Sequence, residues 1–107
     1  MPEHITDADF DAKVTNSKGL VLVDFWAPWC APCLMVGPEV EKLQKQMGDK
    51  LKVYKLNVDE NRQTAAKFRV MSIPTIVWFK DGKVATSVLG AVPFEALYEK
   101  TLPLLDD

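Results

Sequence analysis

Apolar and polar positions divide the chain into segments of two periods. Phe10 and Val14 share one helical face, after a start at Thr6-Asp7-Ala8-Asp9 in which Thr6 is expected to be the N-cap. Asn16-Ser17-Lys18-Gly19 closes that helix. Leu20 to Trp26 is nearly continuous in apolar residues, the pattern of a strand covered on both faces. Val36, Val40, Leu43 and Met47 recur at helical spacing and predict a helix over 34–47, kinked near Leu34 and Met35 by Pro38. Leu51 to Val58 reads as a second buried strand. Asp59 is expected to cap a shorter helix carrying Ala65, Ala66 and Phe68.

The period then changes. Thr75 to Phe79 and Lys83 to Leu89 are strands joined by Asp81-Gly82, a two-residue hairpin signal. Phe94, Leu97, Tyr98, Thr101, Leu102 and Leu105 form the stripe of a last helix, with Pro93 suited to its first turn. The order is helix, strand, helix, strand, helix, strand, strand, helix. Such alternation ending in a hairpin predicts an α/β fold, a central mixed β-sheet flanked by helices on both faces. No linker or repeat interrupts it, so residues 1–107 are expected to form a single domain.

Composition narrows the function. The chain has 107 residues, 48% hydrophobic and 26% charged, with 13 Lys and Arg against 15 Asp and Glu. A net charge of −2 argues against nucleic-acid binding, which needs a basic stripe. No apolar run reaches the roughly 20 residues of a membrane span. Met1-Pro2-Glu3-His4 lacks the basic and apolar regions of a signal peptide, so the expected location is cytoplasmic. No second large apolar face is visible, which makes a monomer the default.

The 2 cysteines, Cys30 and Cys33, lie where the first buried strand hands over to the long helix. Cys30 is placed at the helix N-terminus, where free N–H groups and the macrodipole favour a thiolate. Cys33 sits one turn further in and is expected to be better shielded. Pro32 suits the first turn, where its missing N–H costs nothing. One sulfur that attacks and a second that resolves the mixed disulfide is the chemistry this spacing serves. Zinc would want four ligands, and the lone His4 is far away in sequence. A purely structural disulfide in so short a loop restrains little chain. The redox reading is preferred, with no metal.

Val23-Asp24-Phe25-Trp26-Ala27-Pro28-Trp29-Cys30-Ala31-Pro32-Cys33 resembles the active-site strand and helix start of the thioredoxin family. The resemblance continues through Lys55-Leu56-Asn57-Val58-Asp59-Glu60-Asn61, Ser72-Ile73-Pro74-Thr75, Phe79-Lys80-Asp81-Gly82-Lys83 and Leu89-Gly90-Ala91. It covers nearly the whole chain in order. It implies the thioredoxin fold and a general protein-disulfide reductase, with Cys30 as nucleophile and Cys33 as resolving thiol. No cofactor would be bound. Electrons would come from NADPH through a thioredoxin reductase, and the substrates would be disulfide-containing proteins.

Asp24 stands inside an apolar strand. It is either a strand-end acid facing water or, as the resemblance implies, a buried proton relay for Cys33 whose pKa is raised by desolvation. Lys55 matches the family position beside that acid and would modulate it; otherwise it is an ordinary exposed lysine. The resemblance also implies a cis bond before Pro74, leaving the backbone of Ile73 turned outward for a substrate chain. Trp29, Ala31, Pro32, Val58, Ile73, Pro74, Gly90 and Ala91 are the expected substrate-binding residues, an apolar collar around Cys30, with Gly90 permitting close backbone approach. Trp78 is expected in the core. Two departures stand out. Ala31 replaces the usual Gly and narrows the freedom of the ring, and Leu34 replaces a usually basic residue. A non-catalytic binding module on this fold, or a disulfide-forming or isomerising relative, are the rival readings.

Overall fold

The structure is a computed structural model that describes residues 1–105. Asp106 and Asp107, the last positions of the expected domain, lie outside the described residues. Strands β1 (Glu3–His4), β2 (Leu20–Trp26), β3 (Lys52–Asn57), β4 (Thr75–Lys80) and β5 (Lys83–Leu89) form one sheet in the order β1-β3-β2-β4-β5. β3 runs parallel to β1 and β2, whereas β4 is antiparallel to β2 and β5. Helices α1 (Ala31–Met47), α2 (Arg62–Lys67) and α3 (Phe94–Thr101) pack around it. This is the mixed sheet with flanking helices that the alternation predicts.

β2 is central, and both of its faces are covered, which accounts for its unbroken apolar run. Leu20 and Leu22 join Val36, Val40, Leu43 and Met47 of α1, with Ile76, Trp78 and Leu97. Val21, Val23 and Phe25 face the other way, toward Ile5, Phe10, Val14, Leu56, Val77 and Phe79. Trp78 is fully buried, and its indole N–H donates to Thr101 Oγ1 at 2.9 Å, so the large ring leaves no orphan donor. α1 runs unbroken from Ala31 to Met47 through Pro38.

Four local expectations are corrected. The first helix is a single wide turn, Asp11–Thr15, closed by Asn16 N–H on the Asp11 carbonyl. Thr6 does not cap it: its N–H and hydroxyl both donate to Asp9 Oδ1, which holds a separate turn ahead of the helix. β1 precedes that turn. Two polar residues carry no readable period, and what makes them a strand is the free edge of β3 beside Tyr54 and Lys55. Asp59 does not cap α2 either. Asn61 holds the N-cap position, but its side chain accepts from the Asp7 N–H and donates to the Asn57 carbonyl rather than capping the helix, and the cap comes from Asp7, far away in sequence. Asp7 Oδ1 accepts from the Thr64 N–H at 2.8 Å and its hydroxyl at 2.6 Å, and Oδ2 from the Gln63 N–H at 3.3 Å. Partial burial pushes the Asp7 carboxyl up, but these bonds outweigh it and hold the group below its ordinary value. Finally, Leu102 is exposed. The chain tightens after Thr101 into a turn of 3-10 helix, Leu102–Leu104, which rotates Leu102 off the α3 stripe.

The β4–β5 hairpin forms at Asp81-Gly82, where both residues have positive φ, 51° and 84°, as a type I′ turn requires. Gly82 is fixed for a second reason: a Cβ there would lie 2.0 Å from the Thr15 carbonyl oxygen. The hairpin tip is thus packed against the end of the first helical turn.

Candidate active site

The chain leaves β2 at Trp26 and turns through Ala27-Pro28-Trp29, with the Cys30 N–H on the Ala27 carbonyl at 3.2 Å. Cys30 is the N-cap of α1, in extended conformation, with Ala31 and Pro32 opening the helix. A short polar side chain normally caps such an end. Here the Cys30 sulfur does so, accepting from the Cys33 N–H at 3.2 Å. An orphan helical donor and the positive end of the helix dipole therefore both converge on Sγ, the arrangement that favours a thiolate in the reduced protein. The two cysteines form a disulfide with Cα atoms 5.2 Å apart. In this state they are equally covered, 4% and 3% exposed, so the greater shielding expected of Cys33 is absent.

The surroundings of the pair come from three loops. Ala27, Cys30 and Cys33 form a small apolar cluster against Trp26, Val58 and Ile73. The peptide bond between Ile73 and Pro74 is cis, and the Ile73 carbonyl oxygen lies 3.8 Å from Cys30 Sγ. Pro74 is buried, and its carbonyl accepts from the Gly90 N–H at 2.8 Å, tying the Gly90-Ala91 loop to the proline loop. Gly90 has a φ of 91°, a conformation that favours glycine, and among the described residues nothing lies within 4 Å of where its Cβ would stand. Ala31 and Pro32 are exposed on the first turn of α1, and Ala91 is exposed beside Gly90. Trp29 is 69% exposed, with its indole N–H donating to Asp59 Oδ2 at 2.8 Å.

Asp24 is 1% exposed, which rules out an acid facing water. It lies on the same strand face as Leu20 and Leu22, toward α1. Cys33 lies on the inward face of α1, one turn ahead of Val36. The acid and the second cysteine thus border one interface from opposite sides. Among the described residues, neither Asp24 oxygen has a hydrogen-bond partner. Burial pushes its pKa up from 3.8 to about 6, with the Lys55 charge pulling the other way. Lys55 is the neighbour of Asp24 across the β2–β3 ladder. It is half-buried, not an ordinary surface lysine, and its ammonium stands 4.0 Å from the centre of the Trp26 ring. His4 meets the same ring edge-on at 5.8 Å, and the Trp26 indole nitrogen is buried with no partner among the described residues.

Asp59, Ala27 and His4 border the site although the sequence pattern does not assign them to it. Asp59 reads from the sequence only as a helix-start acid, and Ala27 carries no chemical signal. Placing His4 requires knowing that β1 pairs with β3. Among the described residues, no group of three or more His, Cys, Asp or Glu is placed to hold a metal, and no helix is long and apolar enough to cross a membrane.

The thioredoxin family profile, described as "Thioredoxin", matches residues 1–102. Thioredoxin of Bacillus subtilis (strain 168) is 54% identical over 94 residues, 88% of each chain. Thioredoxin of Listeria monocytogenes is 50% identical over 99 residues, 92% of this chain and 94% of the relative. The chloroplastic M-type thioredoxin of Pisum sativum is 49% identical over 96 residues, 90% of this chain and 56% of that one.

Proposed function

The chain belongs to the thioredoxin family and is a dithiol–disulfide reductase whose redox group is the Cys30–Cys33 pair, and from that premise we propose how its residues divide the work. In the reduced protein the Cys30 thiolate attacks a substrate disulfide. One substrate sulfur becomes bonded to Cys30, and the other leaves as a thiolate that takes up a proton. The Cys33 thiol passes its proton to the Asp24 carboxylate and attacks Cys30 Sγ. The Cys30–Cys33 bond forms, the second substrate sulfur leaves, and the relayed proton follows it. Two electrons have moved from the cysteine pair to the substrate.

A relay must hold its proton weakly enough to release it near neutrality, and a carboxyl raised to about 6 meets that condition. Lys55 acts against the burial of Asp24 and keeps the group from rising further. Trp29, Ala31, Pro32, Val58, Ile73, Pro74, Gly90 and Ala91 receive the substrate segment, with the backbone of Ile73 as its pairing partner. The protein works as a single domain over residues 1–107, as a cytoplasmic monomer. Its partners are disulfide-bearing proteins and an NADPH-dependent thioredoxin reductase that restores the dithiol.

The observation that carries this reading is the Cys30 sulfur capping α1 with a second cysteine in bonding contact. Reduction of insulin, followed by turbidity, tests it together with two variants. Cys30→Ser is expected to abolish turnover. Cys33→Ser is expected to attack and stall as a covalent mixed disulfide on non-reducing gels. Trapping by the Cys30→Ser protein instead would reverse the roles, and no turnover by the unaltered protein would leave only a binding module.

A further inference from the structure

The helix that carries the cysteines has an unusual outer face. From Ala31 to Pro38 it holds no charged residue. Leu34 and Met35 stand 57% and 68% exposed on it, although both are large and apolar. The first charge along α1, Glu39, is turned away: its carboxylate accepts from the Phe94 N–H at 3.1 Å and pairs with Lys42 at 3.5 Å. Leu34 is joined to the reactive cysteine through its N–H on the Cys30 carbonyl at 3.1 Å. The residue before Cys30, Trp29, donates its indole N–H to the acid Asp59 at 2.8 Å.

We propose that Leu34 and Met35 set substrate specificity, by burying a large apolar side chain that lies about two residues from the reacting cysteine of the substrate. This rests on the reductase reading above and names the class of segment that the same site prefers. The spacing follows from geometry. Leu34 is one turn beyond Cys30, about 6 Å away, and helical side chains lean toward the N-terminus and so toward the sulfur. An extended substrate advances about 3.3 Å per residue, so its second residue from the cysteine reaches Leu34. Charge points the same way. An acidic segment finds no cation on this face of α1 and has the carboxylate of Asp59 held beside it by Trp29, whereas an apolar side chain removes Leu34 and Met35 from water.

Two otherwise identical disulfide peptides, with Leu or Glu two residues from the reacting cysteine, test this in single turnovers with the pre-reduced protein. Dividing each rate by that with free dithiothreitol cancels the peptide's own reactivity. The Leu peptide is expected to react about five-fold faster, because its side chain is partly buried. The gap is expected to survive high salt, since burial rather than charge produces it. In a Leu34→Gln, Met35→Gln protein the ratio is expected to fall below about two-fold. Equal rates in the unaltered protein, a gap that salt abolishes, or an undiminished gap in the variant would each overturn the proposal. The peptide and salt comparisons stand without the variant, whatever its folding. Reduction of bis(2-hydroxyethyl) disulfide by the unaltered protein separates the two readings. Failure there removes the reductase reading itself, whereas success with no peptide preference removes only the role of Leu34 and Met35.

Discussion

Replacing Asp24 with Asn is expected to make the protein more stable and a slower catalyst. The carboxyl is 1% exposed, both of its oxygens lack partners among the described residues, and burial raises its pKa from 3.8 to about 6. That rise corresponds to about 3 kcal/mol of native stability missing once the group is ionised. The sign follows from proton binding. Below pH 3.8 folded and unfolded chains both hold the proton, and the full stability is present. Between 3.8 and about 6 only the folded chain keeps it, so stability falls as pH rises through that window. Above it the loss is complete.

Asn cannot ionise, so its protein has no such slope. Its buried amide still needs partners, which costs about 1 kcal/mol or more. The net gain expected near pH 8 is therefore about 1–2 kcal/mol, a Tm increase of roughly 5–10 °C for a domain of this size. Urea unfolding of both oxidised proteins at about pH 3.5, 5 and 8 measures it. The advantage of the variant should be largest at the alkaline end and close toward the acid end. In the same protein, substrate should leave the mixed disulfide more slowly, because nothing accepts the Cys33 proton. A variant less stable at every pH would refute the reasoning, showing that the carboxylate has a favourable partner in solution, and the relay would go with it.

Two structural predictions accompany this one. Gly82→Ala adds a Cβ 2.0 Å from the Thr15 carbonyl oxygen in a backbone of positive φ, so it should lower stability by about 2 kcal/mol or more, read as an earlier urea midpoint, with the redox chemistry retained. Asp7→Ala removes the acceptor for the Gln63 and Thr64 N–H groups and should cost about 1 kcal/mol, with amide exchange fastest in the first turn of α2 if the cap is what fails.

Those two residues also mark where a sequence stops being readable. Asp81-Gly82 announces its turn because the constraint is local: two positive φ values in neighbouring positions. The contact that makes Gly82 irreplaceable lies on Thr15, and no local pattern signals it. The same holds for α2. An acid stands at the expected place, Asp59, yet the bonds are made by Asp7, while Asp59 holds the Trp29 indole. Composition identifies a capping residue but not which of several acids the fold brings to the helix. β2 and α1 were legible because burial on fixed faces dictates their periods. β1 was not, because its two residues are strand only by virtue of the edge they join.

At the site the division is similar, but its consequence is chemical. The cysteine spacing and the helix start fix what the sulfurs can do, and both lie in one short segment. The surroundings of the acid are distributed: Asp24 is on β2, Lys55 on β3, the Trp26 ring lies beneath the Lys55 ammonium, and His4 from β1 stands against the same ring. Within this group, among the described residues, the Asp24 oxygens and the Trp26 indole nitrogen are buried without partners, and an apolar residue at position 24 would remove the carboxylate's share of that conflict. A sequence optimised for stability alone would not keep it. The conflict is what the proposed relay needs, because a carboxyl well satisfied by hydrogen bonds to its charged form would hold its proton far too weakly to move it near neutrality. Lys55 marks the limit in the other direction. Engaged with the Trp26 face, its charge moderates the acid without the bonds that would drop its pKa into the ordinary range. The energy that Asp24→Asn is expected to return is thus the same energy that holds the acid near 6, so stability and the second step of the reaction are tied to one buried group.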